Sequence, residues 1–342
     1  MTTTEILRWI SFDDAAAPFS VCGLAWFARE RRLRRYPAVP PEPLREAVEN
    51  LANNPAGANI RFRTNATTVQ VHVKLQGPPN MYHMTAVGQC GVDCYLDGRF
   101  AGCSVPVPNT SEYTWTIPLG FDGRIHEVIL NLPLYQTVEA LEIGVNEEAE
   151  IAPPTPFAYP GPIVWYGTSI TQGGCAARPG MAHTSIVSRR LNCEVVNLGF
   201  SGNGIGEPEV ARLLATIAEP VLYVIDYIGN ADYARTQATF KDIIATLRAA
   251  HPATPILAID RIRFAADLFN ADWETERVNC ATYLDTTVRE LRAAGDANLH
   301  FHSMADALGT DWDECTVDCI HPTDLGFSRM AEDLVPVIRK LI

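Results

Sequence analysis

No apolar run in this sequence approaches the length of a membrane span. Positive charge is in short supply as well: 27 lysines and arginines stand against 40 aspartates and glutamates, for a formal net charge of −13. Such an acidic balance disfavours nucleic acid and anionic membranes as partners, because both are polyanions. The first residues, Met1-Thr2-Thr3-Thr4-Glu5, lack the basic and long apolar segments of a secretory signal. The expected location is therefore the cytoplasm. Standard zinc-ligand spacings are missing too. Nine cysteines cannot all pair with one another. Cys90 and Cys94, read as parts of one strand-like run, would lie about 13 Å apart, beyond the roughly 7 Å limit between bridged Cα atoms. Buried, reduced thiols acting as small hydrophobes are expected. Neither a metal nor a cofactor is implied.

What is present is an ordinary globular composition, 47% apolar and 20% charged, over 342 residues. That length favours two domains, each able to bury its own core. Residues 1–57 are mixed. A basic cluster (Arg29, Arg31, Arg32, Arg34, Arg35) reads as a solvated surface, the alternative being that one of its arginines reaches across to the second domain. Pro43 to Ala52 is compatible with a short helix.

From Asn59 to Val145 the pattern has period two: Ile60–Arg63, Val69–Leu75, Tyr113–Ile117 and His126–Leu132, separated by turn residues such as Asp97-Gly98 and Asp122-Gly123. Repeated short strands without intervening helices predict a β-sandwich of jelly-roll type over 1–152. Five prolines between Ile151 and Pro162 mark a semi-rigid linker, and the boundary is placed at 153–162.

Over 163–342 strands and helices alternate. The strands are Ile163–Tyr166, Glu194–Leu198, Val221–Tyr227, Pro255–Asp260 and Leu299–His302. The helices are Met181–Leu191, Glu207–Ile217, Tyr233–Ala250, Trp273–Ala294 and Thr323–Leu341, with Pro336 expected to kink or break the last. Alternation of this kind predicts an α/β domain with a five-stranded parallel sheet.

In such a sheet, ligands and catalytic groups gather beyond the carboxyl ends of the strands. Four pieces stand there in this sequence: Gly167-Thr168-Ser169, then Asn197-Leu198-Gly199-Phe200-Ser201-Gly202, then Asp226-Tyr227-Ile228-Gly229-Asn230, and last Asp318-Cys319-Ile320-His321-Pro322 before the final helix. Taken singly, each has a plain structural role as a turn, a cap or a helix start. Together they hold the parts of an acyl-transfer site. A serine hydroxyl needs a neighbouring imidazole to take its proton, and a carboxylate to fix that imidazole's tautomer. Ser169, His321 and Asp318 fit those needs. The developing oxyanion needs donors, which the N–H groups of Ser169 and Gly202 and the Asn230 amide would supply.

These four blocks resemble those of the SGNH (GDSL-type) hydrolase superfamily, over roughly residues 160–342. The resemblance implies a flavodoxin-like sheet, and Ser169, Gly202, Asn230 and His321 as the name-giving residues. Gly91-Val92-Asp93-Cys94-Tyr95 is similar to the Gly-x-Asp-Leu-Tyr signature of a β-sandwich domain found ahead of one branch of that superfamily. Two departures stand out: Thr168 replaces the aspartate of Gly-Asp-Ser, and Cys94 replaces the signature leucine.

The expected function is a serine esterase that removes a short acyl group, acetyl first, from a sugar or other small ester. The sugar part follows by analogy with carbohydrate esterases that join a jelly roll to an SGNH domain. One alternative is an acyltransferase acting on a glycoside hydroxyl. Another is a glycan-binding protein with a relic second domain, against which intact Ser169, Asn230, Asp318 and His321 count.

Overall fold

The computed structural model describes residues 6–107, 109–118 and 120–342. Met1–Glu5, read above for signal features, lie outside them. The chain divides into two compact units, neither continuous in sequence. The first comprises Met1–Pro37, Asn53–Pro156 and Ala177–Gly180; the second comprises Ala38–Ala52, Phe157–Ala176 and Met181–Ile342.

The first unit holds β1 (Leu7–Ser11), β2 (Ser20–Cys22), β3 (Asn59–Thr64), β4 (Val69–Leu75), β5 (Asp93–Leu96), β6 (Arg99–Cys103), β7 (Glu112–Thr116), β8 (His126–Asn131), β9 (Val138–Asn146) and β10 (Ile151–Ala152). Its helices are the short α1 (Phe27–Glu30) and α3 (Ala86–Cys90), while α2 (Glu46–Ala52) belongs to the second unit. The strands pair antiparallel as a four-stranded sheet, β1-β9-β4-β7, and a six-stranded sheet, β10-β3-β8-β5-β6 with β2 beside β3. Period two explains the arrangement. Val69, Val71, Val73 and Leu75 of β4 turn inward, as do Leu141, Ile143 and Val145 of β9. They share one core with Ile60 and Phe62 of β3 and Val128 and Leu130 of β8, which belong to the other sheet. This is the sandwich the alternation predicts.

Two expectations fail here. Cys90 ends a helix rather than sharing a strand with Cys94, because Thr85 caps α3 and accepts from Gly88 N–H. Both thiols are nevertheless buried, and no disulfide joins any of the cysteines among the described residues. Nor is the basic cluster wholly solvated. Arg35 is fully buried, with its Nε–H donating to Asn54 O at 2.8 Å, and burial pulls its pKa down to about 10.

The signature in β5 has a physical basis. A side chain on Gly91 would press within 2.6 Å of Val87 O. Asp93 is fully buried and accepts from Asn131 Nδ2 (2.7 Å), Gly180 N–H (2.7 Å) and Arg178 Nη1 (2.9 Å). The same Arg178 nitrogen donates to Tyr95 Oη at 2.8 Å. A buried carboxylate needs such a full set of donors. Cys94 lies in the core cluster, where its thiol replaces an apolar side chain.

The second unit carries β11 (Ile163–Gly167), β12 (Val195–Gly199), β13 (Leu222–Asp226), β14 (Ile256–Ile259) and β15 (Leu299–His302), all parallel, in the order β12-β11-β13-β14-β15. That is the flavodoxin-like order. Its helices are α4 (Ser169–Gln172), α5 (His183–Leu191), α6 (Pro208–Leu214), α7 (Tyr233–Ala250), α8 (Ala271–Ala293) and α9 (Asp324–Arg339). α5 packs with α9, and α7 with α6 and α8. Among the described residues, no helix is long and apolar enough to cross a membrane. Pro336 does not break α9, which runs on to Arg339. The proline falls near the helix end, so the backbone bond it forgoes lies in the last turns. Buried Phe327, Met330, Leu334 and Ile338 hold the rest.

Candidate active site

Register sets the stage. Gly167 of β11 lies opposite Gly199 of β12 and Asp226 of β13, so three strand ends stop at one level. The chain turns directly from Gly167 into α4. A side chain at Gly167 would stand 2.0 Å from Thr171 Oγ1, so only glycine allows so tight a turn. Thr168 starts the helix: its Oγ1 accepts from Ile170 N–H at 3.2 Å, and its own N–H donates to Thr171 Oγ1 at 3.2 Å. An aspartate at this position would cap in the same way, which is why threonine can stand in for it. Ser169 is the first helical residue.

His321 reaches it from the turn before α9. Its Nε2 is 2.9 Å from Ser169 Oγ, and its Nδ1 is 2.7 Å from Asp318 Oδ2. The turn is clamped by Val317 N–H donating to His321 O at 2.8 Å. Burial pushes the Asp318 carboxyl up, but hydrogen bonds from the His321 backbone and ring, and from Ile320 N–H, outweigh it. The carboxyl stays below its ordinary range. Cys175, by contrast, is no competing nucleophile: burial, then the nearby Asp318 charge, push its thiol up to about 12.

Gly202 and Asn230 line the same cleft, of about 440 Å³, as Ser169 and His321. Gly202 has a φ of +66°, and the space where a side chain would point is open. Its N–H has no hydrogen-bond partner among the described residues. Asn230 spends one amide hydrogen on Phe200 O at 3.3 Å, which orients the group and leaves the second. The N–H of Ser201 is already taken, by Gln172 Oε1 at 3.0 Å. All five residues singled out in the sequence thus lie in one place. Cys175, Asp318 and His321 also offer metal-ligand atoms within 4.8 Å of one another. A soft cation held there would take His321 away from Ser169.

Several supporting residues gave no sign of their role in the sequence. Asp226 is buried and accepts from Thr171 Oγ1 at 2.8 Å; burial pushes its carboxyl up to about 7 despite that bond and a weaker one from Trp165. Arg45, next to α2, donates to Glu207 Oε1 (2.7 Å), Asn203 Oδ1 (2.8 Å) and Asn203 O (2.8 Å). Glu207 also accepts from Tyr166 Oη at 3.1 Å, and Tyr166 Oη accepts from Gly206 N–H at 2.9 Å. Arg45 therefore pins the loop that presents Gly202. Nothing local marks it, because its partners lie some 160 positions away.

Known proteins match along almost the whole chain. Residues 161–339 match the GDSL-like lipase/acylhydrolase family, and residues 7–151 match GxDLY, the N-terminus of SGNH-hydrolase-type esterases. A search of curated proteins returns no significant match. Among solved structures, one assigned as a GDSL-like lipase from Bacteroides ovatus ATCC 8483 is 32% identical, with a TM-score of 0.87 over 98% of both chains. The salicylyl-acyltransferase SsfX3 from a tetracycline biosynthetic pathway is 18% identical, with a TM-score of 0.79 over 98% of this chain and 97% of its own. An acetyl xylan esterase, Est2A, from the rumen bacterium Butyrivibrio proteoclasticus is 12% identical, with a TM-score of 0.61 over 98% and 99%. At such identities the last two speak for the fold alone. Two family models laid end to end, and a 32% identical relative spanning nearly every residue, leave one conclusion: the chain belongs to the GDSL-like lipase/acylhydrolase family, with the GxDLY type of N-terminus.

Proposed function

We propose that the protein is a serine ester hydrolase that removes a short acyl group, acetyl first, from a sugar or other small alcohol. The observation that carries this reading is the 2.9 Å contact from His321 Nε2 to Ser169 Oγ, with Asp318 on the far side of the imidazole. His321 takes the hydroxyl proton as Oγ attacks the ester carbonyl. Asp318 holds the neutral tautomer beforehand and stabilises the imidazolium afterwards. The oxyanion is received by the N–H groups of Ser169 and Gly202 and by the spare amide hydrogen of Asn230. Collapse expels the alcohol, which takes the proton from His321, and leaves an acyl-Ser169 ester. Water, deprotonated by His321, then attacks that ester; collapse breaks the bond between the acyl carbon and Oγ, His321 returns its proton to Ser169, and the acid leaves. The likeness to the acetyl xylan esterase supports acetyl and sugar as first candidates.

A serine-directed fluorophosphonate tests the nucleophile. Mass spectrometry should find the adduct on Ser169; labelling elsewhere, or none in an active preparation, overturns the assignment.

The likeness to the salicylyl-acyltransferase supports a second reading, in which a bound alcohol rather than water resolves the acyl-enzyme. The two differ in product. Given an activated acetyl ester and millimolar glycosides, a hydrolase releases mainly free acid and a transferase mainly sugar ester. We expect the acid.

A further inference from the structure

From Ser169 the cleft runs between the segment after β13 and the segment after β14, where its walls change character. Phe264 lines it but is only 5% exposed, with the Arg261 guanidinium 4.1 Å over its ring, whereas Trp273, at the start of α8, is 41% exposed. Arg261 lies in the same wall and is only 9% exposed. Its guanidinium is almost fully used. Nη1 donates to Ile262 O (3.0 Å) and Asp267 Oδ2 (2.7 Å), while Nη2 donates to Asp267 Oδ1 (2.8 Å) and Trp273 O (3.0 Å). Of its five N–H groups, the one on Nε has no partner among the described residues. Its charge is matched by Asp267, so it offers a hydrogen-bond donor rather than a field for anions.

Two acceptors stand in the same walls. Glu276 gives one carboxylate oxygen to Tyr233 N–H, and Asp232 gives Oδ1 to Arg235 N–H at 2.7 Å as the cap of α7. Each keeps a second oxygen, and neither makes an ion pair among the described residues. A nearly buried donor, two carboxylate acceptors and an exposed indole are the chemistry of a neutral polyol: hydroxyls donate to the carboxylates, a ring oxygen or hydroxyl accepts from Arg261, and C–H groups lie on the aromatic face. The same two carboxylates repel an anion.

We infer that this end of the cleft is a subsite for an uncharged sugar ring, and that Arg261, Asp232 and Glu276 select neutral glycosides over uronates and phosphorylated sugars. The inference rests on the esterase reading for its place in the reaction, but the binding it describes does not need turnover.

The test therefore has two arms. The first is saturation-transfer NMR on the full chain with methyl β-glucoside and methyl β-glucuronide, neither of which carries an ester. The second is kcat/KM for the acetylated forms of both and for 4-nitrophenyl acetate. The variants are Glu276→Gln, whose amide oxygen can still accept from Tyr233, and Asp232→Asn, which still caps α7. Wild-type protein should bind the glucoside and favour its ester over the uronate ester by about tenfold or more. Each variant should lower the glucoside-ester to 4-nitrophenyl-acetate ratio by about tenfold and narrow the gap to the uronate. Ester turnover with no glucoside binding and unchanged ratios overturns the subsite and leaves the esterase reading standing. Glucoside binding that the variants weaken, without turnover of any ester, keeps the subsite and overturns the esterase reading.

Discussion

Asn230 is the residue whose task can be read most directly from its hydrogen bonds. One amide hydrogen is fixed on Phe200 O, and in the proposed mechanism the other meets the charge that develops on the substrate oxygen. A donor arranged in advance costs no reorganisation at the moment of reaction. Asn230→Ala should lower kcat by on the order of 10²–10³ with little change in KM. A rise in KM at constant kcat would make it a substrate-binding residue instead. Ser169, Gly202, Asn230, Asp318 and His321 could be picked out of the sequence because each directly follows a strand or precedes a helix, where an open parallel sheet gathers its reagents. Asp226 stood in one of the same blocks but gave no hint of its role, since its partner Thr171 is 55 positions away.

At the scale of elements, the loop after β12 depends on a segment far from it in sequence. Arg45 binds Glu207 and both oxygens of Asn203, while Arg212 of α6 pairs with Glu42. Gly202 lies in the loop so held. Arg45→Ala should leave the triad contacts in place but loosen a donor, lowering kcat about tenfold while KM changes less. Arg45→Lys should recover only part of this, because an ammonium cannot span two acceptors as a guanidinium does. Equal losses in kcat and in substrate affinity would show that the loop binds substrate rather than the transition state. Most strands and helices were legible from periodicity alone, and α7 and β15 were placed residue for residue. The misplaced features have tertiary causes. A cap at Thr85 makes a helix of the residues before Cys90, and an apolar stripe carries α9 past Pro336. The burial of Arg35 required a backbone acceptor at Asn54, which no local pattern announces.

At the scale of the whole molecule, two buried groups set opposing pH dependences. His183 is fully buried, with neither ring nitrogen hydrogen-bonded among the described residues; it stacks on Phe327 at 5.7 Å and meets Trp165 edge-on at 5.0 Å. Burial pulls its pKa from 6.5 to about 3. Between those values the unfolded chain binds a proton that the folded chain refuses, so stability falls as pH drops. Asp226 acts the other way. Its folded pKa of about 7 lies above the ordinary 3.8, so the folded chain holds the extra proton and stability rises as pH drops through that window. His183→Phe should gain stability toward acid, and Asp226→Asn should lose it more steeply than wild type. Melting curves for the three proteins between pH 7.5 and 4.5 decide it; parallel profiles would show that neither group carries the linkage.

The interleaving of the two units constrains how such a protein can be made and rearranged. We propose 153–162 as the boundary in linear sequence, yet Ala38–Ala52 belongs with the later half and Ala177–Gly180 with the earlier. On the ribosome, Asp93 waits for Arg178 and Gly180 to emerge before its buried charge is matched. Arg45, made early, waits for Glu207. The first unit includes Ala177–Gly180 from beyond the linker and the second includes Ala38–Ala52 from before it, so a cut at the linker separates each unit from part of itself and the chain is poorly suited to recombination as separate cassettes. A gene fragment beginning at the linker encodes a sheet with its serine and histidine, but it leaves behind the arginine that steadies the loop between them.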